Sequence, residues 1–226
     1  MLARFVNFCR KKFYSFFPWL LRKKQAKGHG VHSPFAFDMI TNVIHSSYDF
    51  YAFAEIVEVL EQNNLAFFLN ARLHSLSYRL VHYLGVKNVL EIDSGMGINT
   101  LFIMAPSTSV HCKCVESNHE KTNIAEHLLK QTGRKMETVS SLQNCKGYNY
   151  DALFINLKEQ SIPDIHTLME LSSHDAFWLL HPIKKGKTKQ FWDEIVQDGR
   201  IRMTFDLKDT GLVFLRQDFQ KANYLV

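Results

Sequence analysis

The sequence is poor in cysteine, and the few cysteines are not arranged for cross-linking. The four, Cys9, Cys112, Cys114 and Cys145, include no C-x-x-C pair. Cys112 and Cys114 alternate along a predicted strand, which favours two packed thiols on one side of it over a disulfide. This pattern is typical of a reducing compartment, so we expect a cytoplasmic protein.

Long apolar runs are missing as well. No stretch approaches the roughly 18 uncharged apolar residues that a membrane-spanning helix needs. The chain has 226 residues, of which 46% are hydrophobic. That is enough for one α/β domain with a substantial core and an N-terminal addition.

Acidic residues are absent from positions 1–27, which carry eight basic side chains. The chain has 27 basic residues in total, so 19 remain to face its 22 acidic residues. The net charge of +5 therefore belongs to the N-terminal segment. A nucleic-acid-binding domain carries basic residues over its own surface, so nucleic acid is not an expected partner.

Apolar residues near the N-terminus recur at helical spacing, so residues 1–27 are predicted to contain a basic amphipathic helix. A secretory signal is excluded, because Arg10, Lys11 and Lys12 interrupt the apolar face and no small-residue cleavage site follows. Two interpretations remain open. The helix makes a peripheral contact with anionic membrane, or it docks on its own domain or on the second subunit of a homodimer.

The chain is organised around residues 86–100, VKNVLEIDSGMGINT. A short apolar run around Leu90 predicts a buried strand, and Glu91 lies near its end. Gly95 and Gly97 follow in a turn, where glycine accepts positive φ and lets a ligand approach the backbone. A helix is predicted directly after them. A strand, a glycine turn and a helix N-terminus together are typical of a site for a nucleotide-like ligand.

The spacing E-x-D-x-G-x-G resembles motif I of the class I S-adenosylmethionine-dependent methyltransferases. The resemblance is closest to a catechol O-methyltransferase-like bacterial group, whose N-terminal signature the HGVHSPF run also resembles. It implies that S-adenosylmethionine is the cofactor and that Glu91, Asp93, Gly95 and Gly97 bind it. Asp93 departs from the family, which has glycine there.

Two further residues are expected to hold this cofactor. Glu116 ends the next predicted strand, 21 residues after Gly95. An ionised glutamate only accepts hydrogen bonds, which suits the two hydroxyl donors of a ribose. The resemblance also implies that Ser141, after the third strand, reaches the adenine amine.

Two strand ends carry the candidate reacting groups, Asn156 and His181. Cation-dependent relatives place acids at these strand ends to hold Mg²⁺, which prefers oxygen ligands. Since one Asn and one His make a poor magnesium site, we expect no catalytic metal. His181, with an ordinary pKa near neutrality, is the candidate base. The alternative, a loop histidine without a catalytic role, stays open.

The predicted fold is α/β, a Rossmann-like seven-stranded methyltransferase sheet, mostly parallel, with an antiparallel C-terminal hairpin. The resemblance implies that residues 28–70 form a helical cap, and Ser33 and Pro34 signal the start of a helix within it. The methyltransferase-like domain is assigned to residues 71–216. Residues 217–226 are expected to form a loose C-terminal tail.

Three functions remain in competition after the sequence has been considered. The first is methyl transfer to an oxygen of an unidentified small-molecule acceptor, without a catalytic metal. The second is a degenerate relative that acts as a cofactor-binding or interaction module. The third is an NAD-dependent oxidoreductase, which is disfavoured because Thr100 replaces the third glycine of the dinucleotide fingerprint and a closing hairpin is predicted.

Overall fold

The computed structural model describes residues 19–226. Most of the predicted N-terminal amphipathic helix thus lies outside the described residues, and helix α1 is described over residues 19–25. Within residues 19–226, no helix combines the length and the apolar character needed to cross a membrane.

The remaining elements alternate between helices and strands after an all-helical start. The helical start comprises α2 (Pro34–Asp38), which continues as a π-helix (Met39–Ile44), then α3 (Tyr51–Gln62), a 3₁₀ turn (Ala66–Phe68) and α4 (Ala71–Leu84). The first half of the α/β part comprises β1 (Asn88–Ile92), α5 (Ile98–Met104), β2 (His111–Val115), α6 (His119–Gln131) and β3 (Glu137–Val139). The second half comprises a 3₁₀ turn (Leu142–Cys145), β4 (Tyr150–Asn156), α7 (Ile165–Leu171), β5 (Ser172–His181), α8 (Gly186–Gln197), β6 (Met203–Asp206), β7 (Gly211–Phe214) and β8 (Ala222–Leu225).

All eight strands belong to one sheet with the order β3-β2-β1-β4-β5-β7-β6-β8. The first five strands in this order are parallel, and β7 runs antiparallel to both β5 and β6. The strand order reverses between β1 and β4, because β2 and β3 lie on one side of β1 and the chain continues from β4 on the other side. In open α/β sheets, ligands bind outside the carboxyl ends of the strands at such a switch point.

The predicted α/β sheet with a C-terminal antiparallel hairpin is confirmed, but the sheet has eight strands and not seven. The extra strand, β8, comes from the segment that was expected to be a loose tail, and that expectation is wrong. It pairs in parallel with β6. Tyr224 is buried and stacks on Phe205, with ring centroids 5.1 Å apart. Burial of this ring gives a strand of only four residues the apolar contact that holds it in the sheet.

Helix α1 packs against the same edge. The guanidinium of Arg22 donates to the carbonyl oxygens of Asp206 and Val226, the latter at 2.6 Å, and forms an ion pair with the Asp206 carboxylate. The side chain of Gln25 accepts the Leu225 amide at 2.7 Å. The described part of the N-terminal segment therefore docks on its own domain.

The sheet is covered on both faces, as a parallel sheet requires. One apolar core joins the sheet to the N-terminal helices and to α4, α5 and α6, and the other joins it to α7 and α8. In the cap, α2 begins at Pro34 as predicted, and the Ser33 hydroxyl accepts the Ala36 amide at 3.2 Å. The cap places the 3₁₀ turn and the start of α4 above the carboxyl ends of the central strands.

Candidate functional site

A cleft of about 260 Å³ opens at the carboxyl ends of β1, β4 and β5. Its floor comes from the strand ends and the glycine turn, and its wall comes from the cap and α4. The lining residues are Phe68, Asn70, Leu73, His74, Glu91, Asp93, Ser94, Met96, Ile98, Asn99, Phe154, Ile155, Asn156, Leu179 and His181. Four of the residues singled out in the sequence are among them, namely Glu91, Asp93, Asn156 and His181.

The two glycines of the turn have different surroundings. Both have positive φ, +62° at Gly95 and +76° at Gly97. A Cβ at Gly95 would meet no atom within 4 Å, so its backbone faces open space. A Cβ at Gly97 would lie 2.7 Å from the Cβ of Ala125 in α6. Close packing of α6 therefore requires glycine at position 97, whereas position 95 is open to a ligand.

Glu116 supports the glycine turn from the end of β2. Its carboxylate accepts the Gly95 amide at 3.0 Å and the Asn118 amide at 2.9 Å, one with each oxygen. The residue is only 5% exposed and does not line the cleft. Each carboxylate oxygen has two lone pairs, so one acceptor position per oxygen is left for a ribose. Contact with a cofactor remains a prediction for this residue.

Glu91 is a buried carboxyl at the base of the cleft. It accepts the Asn99 side-chain amide at 2.9 Å and the Thr100 hydroxyl at 2.5 Å. Burial raises the pKa of Glu91 to about 7, although these hydrogen bonds act to lower it. Thr100, which replaces the third glycine of the dinucleotide fingerprint, thus donates a hydrogen bond to this carboxyl.

Asp93 stands in the turn with φ +57°, a conformation that aspartate tolerates better than most residues. Its carboxylate forms an ion pair with Lys158, with N–O 2.6 Å, and its carbonyl oxygen accepts the Asn156 side-chain amide at 3.3 Å. Sequence analysis missed Lys158. The available signal was its position two residues after the end of β4.

His181 ends β5 with its orientation fixed from behind. Its Nδ1 lies 3.1 Å from both the Asp209 carbonyl oxygen and the Thr210 hydroxyl. A proton on Nδ1 satisfies the carbonyl, which leaves the Nε2 lone pair for the cleft. Burial lowers the pKa of His181, against the raising influence of Asp209. The imidazole is therefore neutral at neutral pH, as a general base must be.

His74 of α4 is a second imidazole in the cleft, and sequence analysis missed it. It is 7% exposed, and among the described residues none bonds its Nδ1. Burial, followed by the charge of His181, lowers the pKa of His74 to about 4. Its ring stacks on Phe102, with centroids 5.5 Å apart. The helical period of α4 was the available signal, because it places His74 on the same side as the buried Tyr78 and Val81.

Ser141 does not reach the cleft. Its hydroxyl accepts the Gln143 amide at 3.3 Å and caps the 3₁₀ turn after β3. The predicted residues thus form two groups. Glu91, Asp93, Asn156 and His181 meet in the cleft, while Gly95, Gly97, Glu116 and Ser141 lie beside or behind it.

The fold is that of the S-adenosylmethionine-dependent O-methyltransferases. No protein-family model matches the sequence, and the search of curated proteins finds no match. The likeness to known proteins is therefore structural. The solved structures described next are 12–16% identical to this chain, and such a likeness shows the fold alone.

Three solved structures illustrate this likeness. An O-methyltransferase from Bacillus cereus in complex with SAH is 16% identical, covers 78% of this chain and 96% of its own, and has a TM-score of 0.61. The SAH-bound methyltransferase PaMTH1 from Podospora anserina is 14% identical, with coverages of 82% and 97% and a TM-score of 0.61. The O-methyltransferase TomG from Streptomyces achromogenes, solved with SAM, is 12% identical, with coverages of 79% and 95% and a TM-score of 0.59.

Proposed function

We propose that the protein is an S-adenosylmethionine-dependent methyltransferase that acts on an oxygen of a small-molecule acceptor without a catalytic metal. The observation that carries this proposal is the neutral imidazole of His181. Its Nδ1 is engaged from behind, and its Nε2 is left for a cleft that borders an open glycine turn.

The residues of the turn fit the cofactor. Open space in front of Gly95 admits a ligand to the backbone, and the buried Oδ1 of Asn99 has no partner among residues 19–226. The carboxyl groups of Glu116 and Glu91 add hydrogen-bond acceptors near the turn. Solved structures of the same fold contain SAM or SAH, which supports binding of the same cofactor here.

His181 acts as the base in this proposal. S-adenosylmethionine supplies an electrophilic methyl group on a sulfonium. The protein has to hold the acceptor oxygen in line with that methyl group, and such alignment supplies much of the rate. Nε2 of His181 takes the hydroxyl proton, while Asn156 at the neighbouring strand end orients the acceptor.

The donor set of the cleft supports a reaction without magnesium. Of its two carboxyl groups, Glu91 is engaged by Asn99 and Thr100, and Asp93 is paired with Lys158. Asn156 and His181 offer one oxygen and one nitrogen, whereas Mg²⁺ requires about six oxygen ligands in an octahedron. The ammonium of Lys158 already balances the charge of the Asp93 carboxylate.

The test is release of S-adenosylhomocysteine from S-adenosylmethionine in the presence of a panel of hydroxyl-bearing small molecules, with and without a metal chelator. We expect release with at least one acceptor, unchanged by the chelator, and reduced about 100-fold or more in His181→Gln. His166→Gln, an exposed histidine on α7, is the matched control. Loss of release on chelation would contradict the metal-free mechanism.

A degenerate, cofactor-binding module is the second candidate. It is favoured by the Asp93–Lys158 ion pair, because Asp93 stands where the family has glycine. The pair joins the glycine turn to the loop after β4. Binding of S-adenosylmethionine without turnover of any acceptor would support it. An NAD-dependent oxidoreductase is disfavoured, and an NADH titration in parallel separates it from both.

A further inference from the structure

The geometry points to a second site in the core, a buried thiolate–carboxylate cluster that binds one d¹⁰ metal ion such as Zn²⁺ or Cd²⁺. Its ligands are Cys112, Cys114 and Glu91. Nothing in the proposed methyl transfer uses the two thiols, whereas Glu91 also lines the cleft and is shared with the proposed cofactor site.

Strand pairing brings these three side chains together. Cys112 and Cys114 are separated by one residue on β2, so both point to the same face of the sheet. Glu91 pairs with Cys114 in the register between β1 and β2 and shares that face. One ligand atom from each of the three lies within 4.8 Å of the other two, and all three residues are at most 3% exposed.

The distances match a tetrahedral centre. With zinc–sulfur bonds of about 2.3 Å, two thiolates on one ion lie about 3.8 Å apart. The sulfur atoms of Cys112 and Cys114 are 3.8 Å apart, and Cys114 Sγ is 3.9 Å from Glu91 Oε2. The hydroxyl of Thr100 lies 3.8 Å from Cys114 Sγ and donates to Glu91 Oε2. An ion bound by Glu91 Oε2 and the two sulfur atoms would take the place of this hydrogen bond.

A disulfide does not fit the same pair. The two sulfur atoms are separated by nearly twice the S–S bond length of about 2.0 Å. Two residues of an extended strand span about 6.6 Å, near the upper limit for a bridged pair. Metal binding needs no such approach, since the ion occupies the space between the sulfur atoms.

Charge and access also support an ion. Two thiolates and the Glu91 carboxylate supply three negative charges for a divalent cation, so the bound ion is not left as an unpaired positive charge in the core. Binding releases the protons of the two thiols, because the thiolate is the form that binds a metal ion. Cys112 also borders a second cavity of about 540 Å³ at the opposite edge of the sheet, which provides a route for the ion.

The experiment is a titration of the full-length, reduced protein with Cd²⁺, followed by the ultraviolet sulfur-to-cadmium charge-transfer band. We expect a band that saturates at one ion per chain. Cys112→Ser and Cys114→Ser are each expected to weaken binding at least tenfold, and Glu91→Gln is expected to weaken it while keeping the band. Cys145→Ser, a buried cysteine of the other core, is the matched control and is expected to change nothing.

A second measurement uses the unaltered chain, so it does not depend on whether the variants fold. Alkylation of the unaltered chain in a concentration of denaturant that opens the core, mapped by mass spectrometry, is expected to show that Cd²⁺ protects Cys112 and Cys114 but not Cys9 or Cys145. A band that is absent at one equivalent, or that survives loss of both Cys112 and Cys114, would overturn the proposal. Equal labelling of these two cysteines with and without Cd²⁺ would overturn it as well.

Discussion

The two histidines of the cleft show how burial gives the same residue type different roles. His181 has a hydrogen-bonded Nδ1 and a strand end that fixes its ring, whereas the Nδ1 of His74 has no partner among the described residues. Burial lowers the pKa of both, to about 4 for His74. We therefore propose proton transfer for His181, whereas His74 contributes a neutral wall that packs on Phe102.

The pH dependence of turnover follows from His181. A base must be unprotonated, and the lowered pKa keeps this imidazole neutral over a wider pH range. We expect kcat to be constant near neutral pH and to fall on acidification, with its midpoint below the ordinary histidine pKa of 6.5. A pH–rate profile measures this. A midpoint above 6.5, or an unchanged acidic limb in His181→Gln, would argue against His181 as the base.

The pH dependence of stability follows from His74. Its pKa is lower in the folded state, about 4, than the ordinary 6.5. Between these values the unfolded state binds the proton and the folded state does not, so stability is lost as pH falls through this window. The free energy of unfolding lost over the whole window is about 3 kcal/mol. Denaturant unfolding of His74→Gln between pH 7 and pH 4 should show a correspondingly smaller loss than the wild type, and an equal loss would contradict the assignment.

At the scale of the element, the strand–turn–helix unit depends on the close approach of α6 to the turn. A side chain at Gly97 meets both a positive φ and the Cβ of Ala125 at 2.7 Å. Gly97→Ala is therefore expected to destabilise the protein by about 2–4 kcal/mol in denaturant unfolding. Gly85→Ala is the control, because its φ of +64° carries the strain without any contact. Equal losses in the two variants would show that packing on α6 is not the cause.

Prediction from sequence succeeded where structure is local. The strand β1, the turn after it, the start of α2 at Pro34 and the end of α4 at Gly85 follow from periodicity and capping residues near in the chain. The strand β8 was missed, because a segment of only four residues becomes a strand through its pairing with β6 and the contact of Tyr224 with Phe205, neither of which is visible in its own sequence. His74 and Lys158 had local signals but were missed, because only the folded chain brings His74 to the cleft and Lys158 to Asp93.

At the scale of the whole molecule, the N-terminal segment divides into two parts. Residues 19–27 dock on the edge of the sheet, where Arg22 bonds Asp206 and Val226 and Gln25 bonds Leu225, so they contribute to the fold. The predicted peripheral membrane contact would then belong to residues 1–18, which lie outside the described residues. A contact made by homodimer subunits remains an alternative for the same segment.

Deletion of residues 2–18 separates these possibilities while keeping Arg22. We expect the full chain to sediment with anionic vesicles and not with neutral ones, because basic residues are attracted to anionic lipid. The shortened chain is expected to remain in the supernatant. Unchanged sedimentation would refute the membrane contact, and a shift in the molar mass in solution would favour the dimer.

The most direct test of the central claim is a calorimetric titration with S-adenosylmethionine and S-adenosylhomocysteine of the wild type, Gly95→Ala and Gly85→Ala. Both glycines have open surroundings and similar φ, +62° and +64°, so the two substitutions carry similar backbone strain. Only Gly95 faces the proposed cofactor. We predict binding by the wild type and by Gly85→Ala, and a loss of at least tenfold in Gly95→Ala. Absence of binding by the wild type, or equal binding by all three proteins, would contradict a cofactor site at this turn.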